Sequence, residues 1–214
     1  MSKPSLRERI VDTALDLAER SSWETVRLHQ VAVTLGIALD DVRAHFREKE
    51  DIVDAWFDRA DAAMLRAAAA LGFQALSVRA RLHRLVMAWL GALAPHRRVT
   101  RQMALGKLEP GHVHYQIAGL LRVSRTVQWL REAAHRESVL PWRAVEETAL
   151  TGIYLATFLH WMWDESPEAK RTSELLNRLL ARAGSVARLF PCAYEHHRPR
   201  PRAEMPNARP GAGG

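Results

Sequence analysis

Between residues 25 and 49 the chain carries six side chains suited to a polyanion: Thr25, Arg27, Gln30, Arg43, His45 and Lys49. Hydroxyl, guanidinium and ammonium donors hold phosphate oxygens, and Arg and Gln also match base edges in a groove. Such groups act together only when the backbone sets them on one surface. The spacing supplies a scaffold, because two short amphipathic segments, Arg27–Leu35 and Leu39–Phe46, are joined by Gly36-Ile37-Ala38. Gly36 stands where a helix should end, since a left-handed residue past a helix C-terminus costs glycine nothing. Val31, Ala32, Leu35, Ile37, Val42 and Phe46 are spaced for two helices crossing steeply. This pattern predicts a helix-turn-helix whose second helix enters a DNA major groove. The alternative is a small helical subdomain that packs and reads nothing.

Other chemistries find little support. His112 and His114 lie too close on one helix to face together, and His196-His197 fall in a Pro/Arg-rich tail. There is no HExxH, no Cys/His cluster with zinc spacing, no nucleophile elbow and no phosphate-binding glycine loop. His160 and Asp164, four residues apart on an apolar helix, read as a core or interface pair. The expectation is a protein that is not an enzyme and needs neither metal nor cofactor.

The elements that would position the basic residues are helical throughout. Ser5–Arg20 is amphipathic, with Ser5 and Glu8 spaced as a capping box and Leu6, Ile10, Ala14 and Leu17 inward. Ser21-Ser22 breaks it, and Trp23 plugs the gap to the next pair. A long helix over Glu48–Leu71 follows, with Ile52, Trp56, Ala60, Ala63 and Ala67 inward and Gly72 beyond its end. Packed on the head at one end and on the body at the other, it couples the two. Further helices are predicted over Ser77–Ala94, Arg97–Leu108 (stopped by Glu109-Pro110-Gly111), His112–His135 and Trp142–Asp164, with another starting at Ser166-Pro167-Glu168. Residues 1–50 form the head, 51–190 the body and 191–214 a disordered tail rich in Pro, Arg and Gly.

Composition bounds the reading. At 214 residues, 48% hydrophobic and 26% charged, the chain is an ordinary globular sequence able to bury a core. The N-terminus has acids and bases among its apolar residues and no signal-peptide core. The apolar run Ala149–Trp163 is too short to span a bilayer. One cysteine, Cys192, permits no internal disulfide and fits a reducing cytoplasm. The net charge of +7 is unevenly placed. Residues 1–60 hold nine Lys and Arg against twelve Asp and Glu, so the basic excess lies in the larger helical part. Overall charge therefore does not mark a DNA face.

The head resembles the TetR family of transcriptional regulators. The resemblance rests on ERIVDTAL in the first helix, VAVTLGI before the turn and VRAHFREKEDI after it, with Gly36-Ile37, Val42, His45-Phe46 and Lys49-Glu50 matching the family pattern. It implies an all-α homodimer with a three-helix DNA-binding head, a palindromic operator, and a helical body whose small-molecule pocket controls head spacing. Three departures stand out. Arg43 occupies the place of a family tyrosine, so a guanidinium would make that phosphate contact. Asp40 and Asp41 stand where small or hydroxyl residues are usual, and one could accept from a cytosine amino group. The first helix ends on Ala18 and Ser21-Ser22 rather than an aromatic and glycine.

The C-terminal part is similar to the TetR-like lipid-binding accessory family of ubiquinone biosynthesis. Ile153-Tyr154, Thr157, Asp164, Ser166-Pro167, Thr172 and Leu175-Leu176 carry that likeness, with Ser22-Trp23, Ala60-Asp61 and Met64. Trp142 alone hints at that family's tryptophan-tyrosine segment, and the basic tail departs from its amphipathic helix. This alternative implies a lipid carrier that no longer reads an operator.

Inside the body, Met87, Trp89, Leu90 and Met103, with Ile117, Leu121, Trp129, Tyr154 and Phe158, are candidates to line a pocket for a hydrophobic or aromatic effector; packed core is the other reading. Leu155, Leu159 and Trp163 on one late helix and Leu176, Leu179 and Leu180 on the next are candidates for a four-helix dimer interface, or else for the monomer's core. In the expected mechanism Arg27, Gln30, Arg43 and His45 face DNA, and Thr25 and Lys49 hold phosphates. An effector then shifts the long helix that carries the head.

Overall fold

Four successive helices begin in the same way. The computed structural model describes residues 4–106, 113–134 and 142–188. Its first helices are α1 (Leu6–Arg20), α2 (Leu28–Leu35), α3 (Leu39–His45) and α4 (Lys49–Ala68). In each, the third helical residue turns its side chain back onto the amide preceding the helix. Glu8 accepts from Ser5 N at 2.7 Å, Gln30 from Arg27 N at 3.0 Å, Asp41 from Ala38 N at 3.0 Å, and Asp51 from Glu48 N at 3.2 Å. Only the first also has the reciprocal bond, in which Glu8 N donates to Ser5 Oγ at 3.2 Å. These bonds supply acceptors that the first turn of a helix lacks. They let helices of seven and eight residues form in a head too small to stabilise them by length. Gly36 closes α2 at φ 66°, and a Cβ there would meet no neighbour within 4 Å. Its role is therefore the left-handed backbone alone.

The head closes around Ile10, Ala14, Leu15, Trp23, Val31, Val42 and Phe46, all buried, so Trp23 does plug the gap after α1. The predicted limits of α2 and α3 hold to within one residue, and α4 stops at Ala68 rather than Leu71. Gly72, at φ 77°, sits at the turn that follows.

The rest of the described chain forms α5 (Val78–Leu93), α6 (Arg97–Gly106), α7 (Val113–Ala133), α8 (Trp142–Trp161) and α9 (Lys170–Arg188). α4 packs on α1 at the head and on α5 and α7 in the body. α6 fastens the head from the other side. Trp56 on α4 donates its indole N–H to Thr100 at 2.9 Å, Gln102 accepts from Trp23 N at 2.7 Å, and Arg98 donates to Ala18 O at 3.1 Å. No helix among the described residues is long and apolar enough to cross a membrane. The turn at Glu109-Pro110-Gly111 and the tail at 191–214 lie outside the described residues.

The last α-helix begins three residues after the proline that signals it. Ser166-Pro167-Glu168 leads into a short 3-10 turn, Pro167–Ala169, with Glu168 and Ala169 at φ 50° and 53°. The start is set by Asp164, which is buried. Its carboxylate accepts from Ser166 N at 2.9 Å, Thr172 N at 2.8 Å and Thr172 Oγ1 at 2.6 Å. Arg97 donates to the Asp164 carbonyl while lying over the Trp161 ring at 4.8 Å. Burial opposes ionisation of Asp164, but the hydrogen bonds from Ser166 and Thr172 outweigh it and hold the carboxyl well below the usual carboxylate range.

A lowered folded-state pKa gives stability that is present above the unfolded carboxylate pKa and is lost as pH falls through the folded one. Asp164→Asn should therefore lower unfolding stability at pH 7 by about 2 kcal/mol. In a denaturant series against pH, the gap to the parent should begin to narrow below about pH 4 and go on narrowing as pH falls toward the lowered folded-state pKa. A gap independent of pH would show that the charge is not what holds the junction.

Candidate nucleic-acid interface

The six residues predicted to meet DNA divide into two groups. Thr25, Arg27, Gln30 and Lys49 form one knot around the turn between α1 and α2. Lys49 Nζ donates to Trp23 O at 2.7 Å and to Glu24 O and Val26 O at 3.3 Å, and sits 4.9 Å from the Trp23 ring centre. Arg27 donates to the same Glu24 and Val26 carbonyls. Gln30 closes onto the Arg27 amide, and Thr25 Oγ1 donates to Ser22 O at 2.9 Å. Burial, with the nearby Arg27 charge second, pushes the Lys49 ammonium below its ordinary pKa. The expectation that Lys49 holds a phosphate meets an ammonium that is half-buried and engaged within the fold. Its ammonium is turned inward onto a carbonyl cluster, where it fixes the start of α4 to the turn ahead of α2. Sequence could not show this, because the partners lie more than twenty residues away.

Arg43 and His45 form the second group and are exposed on α3. Arg43 Nε bonds Asp40 Oδ1 at 2.9 Å within the helix. The other acid of the pair, Asp41, caps α3. Beside them lies a cleft of about 440 Å³ lined by Arg7, Arg43, His45, Arg47, Asp54, Asp58 and Arg125.

Behind the head, α4 is held in the body by a buried ionic group that sequence reading missed. Asp61 on α4 accepts from Trp89 Nε1 at 2.8 Å on α5, and from Arg122 Nη2 at 2.8 Å and Thr126 Oγ1 at 3.1 Å on α7. Arg122 also donates to Asp58 and lies 5.8 Å from the Phe57 ring centre. Asp61 and Arg122 are 8% and 7% exposed. Burial raises the Asp61 pKa, opposed by Arg122, Trp89 and Thr126. The Tyr154 hydroxyl, fully buried close by, is held protonated by burial and by the Asp61 charge. The one sequence signal is an acid on the otherwise apolar inner side of α4.

The predicted pocket residues meet this group only in part. Trp89 lies edge-on to Tyr154 at 5.2 Å and to Phe158 at 5.5 Å, and Phe57 stacks on Trp89 at 5.9 Å. Leu90 and Met103 are buried in the same core, with Met87 packed against it. Leu121 and Trp129 do not belong there. They are 60% and 47% exposed, because α7 turns Arg122, Thr126 and Leu130 inward instead. Ile117 lies on α7 with its side chain outside the described residues.

The predicted interface divides as well. Leu159 and Trp163 are 45% and 56% exposed, and Leu155 is half-buried. Leu176 and Leu180 are buried in the chain's own core, where α9 packs on α5 and α8, with Leu179 half-buried beside them. Among the described residues, the apolar stripe of α9 thus faces inward at Leu176 and Leu180, while α8 keeps Val145 and Leu159 exposed.

Among solved structures, a TetR transcriptional regulator from Nitrosomonas europaea ATCC 19718 is 50% identical over 84% of this chain and 98% of its own, with a TM-score of 0.76. A TetR transcriptional regulator from Rhodococcus sp. RHA1 (17% identity, 81% and 92% coverage, TM-score 0.57) shares the fold. So does a TetR-like regulator from the same organism (18% identity, 86% and 99% coverage, TM-score 0.52). No family model and no curated protein matches the chain.

A buried charge left without its partner is costly, whereas a pair replaced together by neutral groups is often tolerated. Arg122→Met should therefore lose about 3–5 kcal/mol in chemical unfolding. Because Asp61 ionises less readily still once unpaired, the loss should shrink as pH falls. Asp61→Asn with Arg122→Met should recover most of it. Equal losses in the single and double variants would show that the ion pair is incidental.

Proposed function

The chain belongs to the TetR family of transcriptional regulators, and we propose that it acts as a cytoplasmic homodimer that binds a palindromic operator and is tuned by a hydrophobic or aromatic small molecule. The observation that carries this reading is an exposed recognition helix, α3, joined through the single helix α4 to a buried polar centre in the body. Residues 1–50 act as the reading head and 51–190 as the body. Arg43 and His45 on α3 meet the groove. Arg27, Gln30 and Thr25 present the turn ahead of α2 to the backbone, and Lys49 positions that turn from behind.

The outer face of α8 supports pairing with a second copy. Val145, Ala149, Gly152, Ala156, Leu159 and Trp163 recur at helical spacing and are exposed. A contiguous apolar stripe of this kind marks an association surface, and the small residues at its centre let two helices approach closely. The effector enters the aromatic cluster of Trp89, Tyr154 and Phe158. Trp89 touches Asp61, so a shift there moves α4 and the distance between heads, which must match sites roughly 34–36 Å apart.

The residues behind the lipid-carrier resemblance have structural roles in this chain. Asp164, Ser166 and Thr172 build the junction between α8 and α9, and Asp61 holds α4. They give the alternative no separate support.

Selection from a random duplex pool at near-physiological salt should enrich a palindrome bound at least ~10³-fold more tightly than a scrambled duplex. Weak binding that depends only on salt would sink the regulator reading. For the dimer, Leu159→Glu on the α8 face should convert the protein to a helical monomer in sedimentation velocity. A dimer unchanged by it would remove α8 from the interface.

A further inference from the structure

Asp40 is an awkward residue on a DNA-reading helix, since a carboxylate repels phosphates and has no donor of its own. Its neighbour Asp41 is accounted for, because it caps α3 through the Ala38 amide. Among the described residues Asp40 is bonded only to Arg43, through Oδ1 and Nε at 2.9 Å, with both side chains largely exposed (79% and 75%). That bond is specific in what it leaves open. With Nε engaged, the two Nη groups of Arg43 still form a free fork, and Asp40 Oδ2 still lacks a donor. The residues are three apart on one helix and present these groups on the same face.

We propose that Asp40 and Arg43 read one G·C base pair of each operator half-site as a unit, the Arg43 fork on guanine O6 and N7 and Asp40 Oδ2 accepting from the cytosine N4 amino group. The inference rests on the DNA-reading role proposed above. In the major groove guanine offers two acceptors and cytosine a donor, which complements a joined cation and anion. An A·T pair in the same orientation opposes both partners. Adenine sets its N6 amino donor against the guanidinium, and thymine sets its O4 acceptor against the carboxylate. Reversing the G·C pair also mismatches both. A lone arginine would discriminate once, whereas the pair discriminates twice. The Arg43–Asp40 bond holds the fork in place before DNA arrives, so fewer side-chain rotors are frozen on binding.

The test uses the duplex that wild-type protein selects. Each guanine is replaced singly by 7-deazaguanine, which lacks the N7 acceptor, and separately by inosine, which keeps the major-groove edge and loses only the minor-groove amino group. One position per half-site should lose roughly 10-fold or more in affinity with 7-deazaguanine and little with inosine. Repeating the selection with Asp40→Asn, a change at an exposed position outside the α3 cap, should relax or replace the G·C preference at that same position while binding to unrelated DNA is kept or strengthened. An operator indifferent to 7-deazaguanine at every guanine, or an unchanged preference with Asp40→Asn, overturns the paired readout alone. No enriched sequence from wild type overturns the DNA-reading premise, and the pair with it.

Discussion

The rest of this structure depends on where α4 sits, and its position in the body is fixed by one buried ion pair. Asp61 and Arg122 are separated by sixty-one residues of chain and meet where water is excluded. Such a pair contributes little to net stability, because desolvation of both charges offsets their attraction. Its value lies in geometry. Hydrophobic packing tolerates small slides of one helix along another, whereas Asp61 has donors from Trp89, Arg122 and Thr126 at three fixed places. A slide of α4 breaks several hydrogen bonds at once.

At its other end α4 is fixed by Lys49, whose ammonium gathers the carbonyls of Trp23, Glu24 and Val26. Trp56 ties its first half to Thr100 on α6. The head is thus attached to α4 by directional contacts, and α4 to the body by others. A displacement at Asp61 has no soft joint in between to absorb it. The turn ahead of α2 would move with the start of α4, carrying Arg27 and Gln30.

Much of this was legible in the sequence, for identifiable reasons. Local signals worked: Ser5 with Glu8, Gly36 and the two apolar half-turns of the head all act within a few residues. The faces of the body helices were harder to read. α8 is apolar nearly all round, so periodicity could not separate its core side from its exposed side. On α7, Leu121 and Trp129 attract a core assignment by type, yet the buried face belongs to Arg122 and Thr126 because Asp61 needs donors. Of the two readings open for Leu176 and Leu180, dimer interface or the chain's own core, the structure has the second, because α5 leaves a face for α9 to cover. The start of α9 was misplaced because the proline signal is local and the Asp164 cap reaches over eight residues. In each case the decisive contact lies beyond the range in which residue spacing carries information.

The first sixty residues hold more acids than bases, and the structure shows why a formal count misleads. Glu8, Asp41 and Asp51 are turned onto helix-start amides. Asp12 is paired with Arg59, and Glu19 with Arg98. These carboxylates offset partial positive charge at helix starts or guanidiniums within the fold. Their long-range field is correspondingly weaker than that of free surface acids. On α3 the one acid not absorbed into a cap is Asp40, and it stands beside a guanidinium of opposite charge. A phosphate approaching the helix meets a nearly neutral pair rather than a bare carboxylate. The field of this head is therefore set by how its acids are partnered, and discrimination in the groove can rest on hydrogen-bond pattern instead of net attraction.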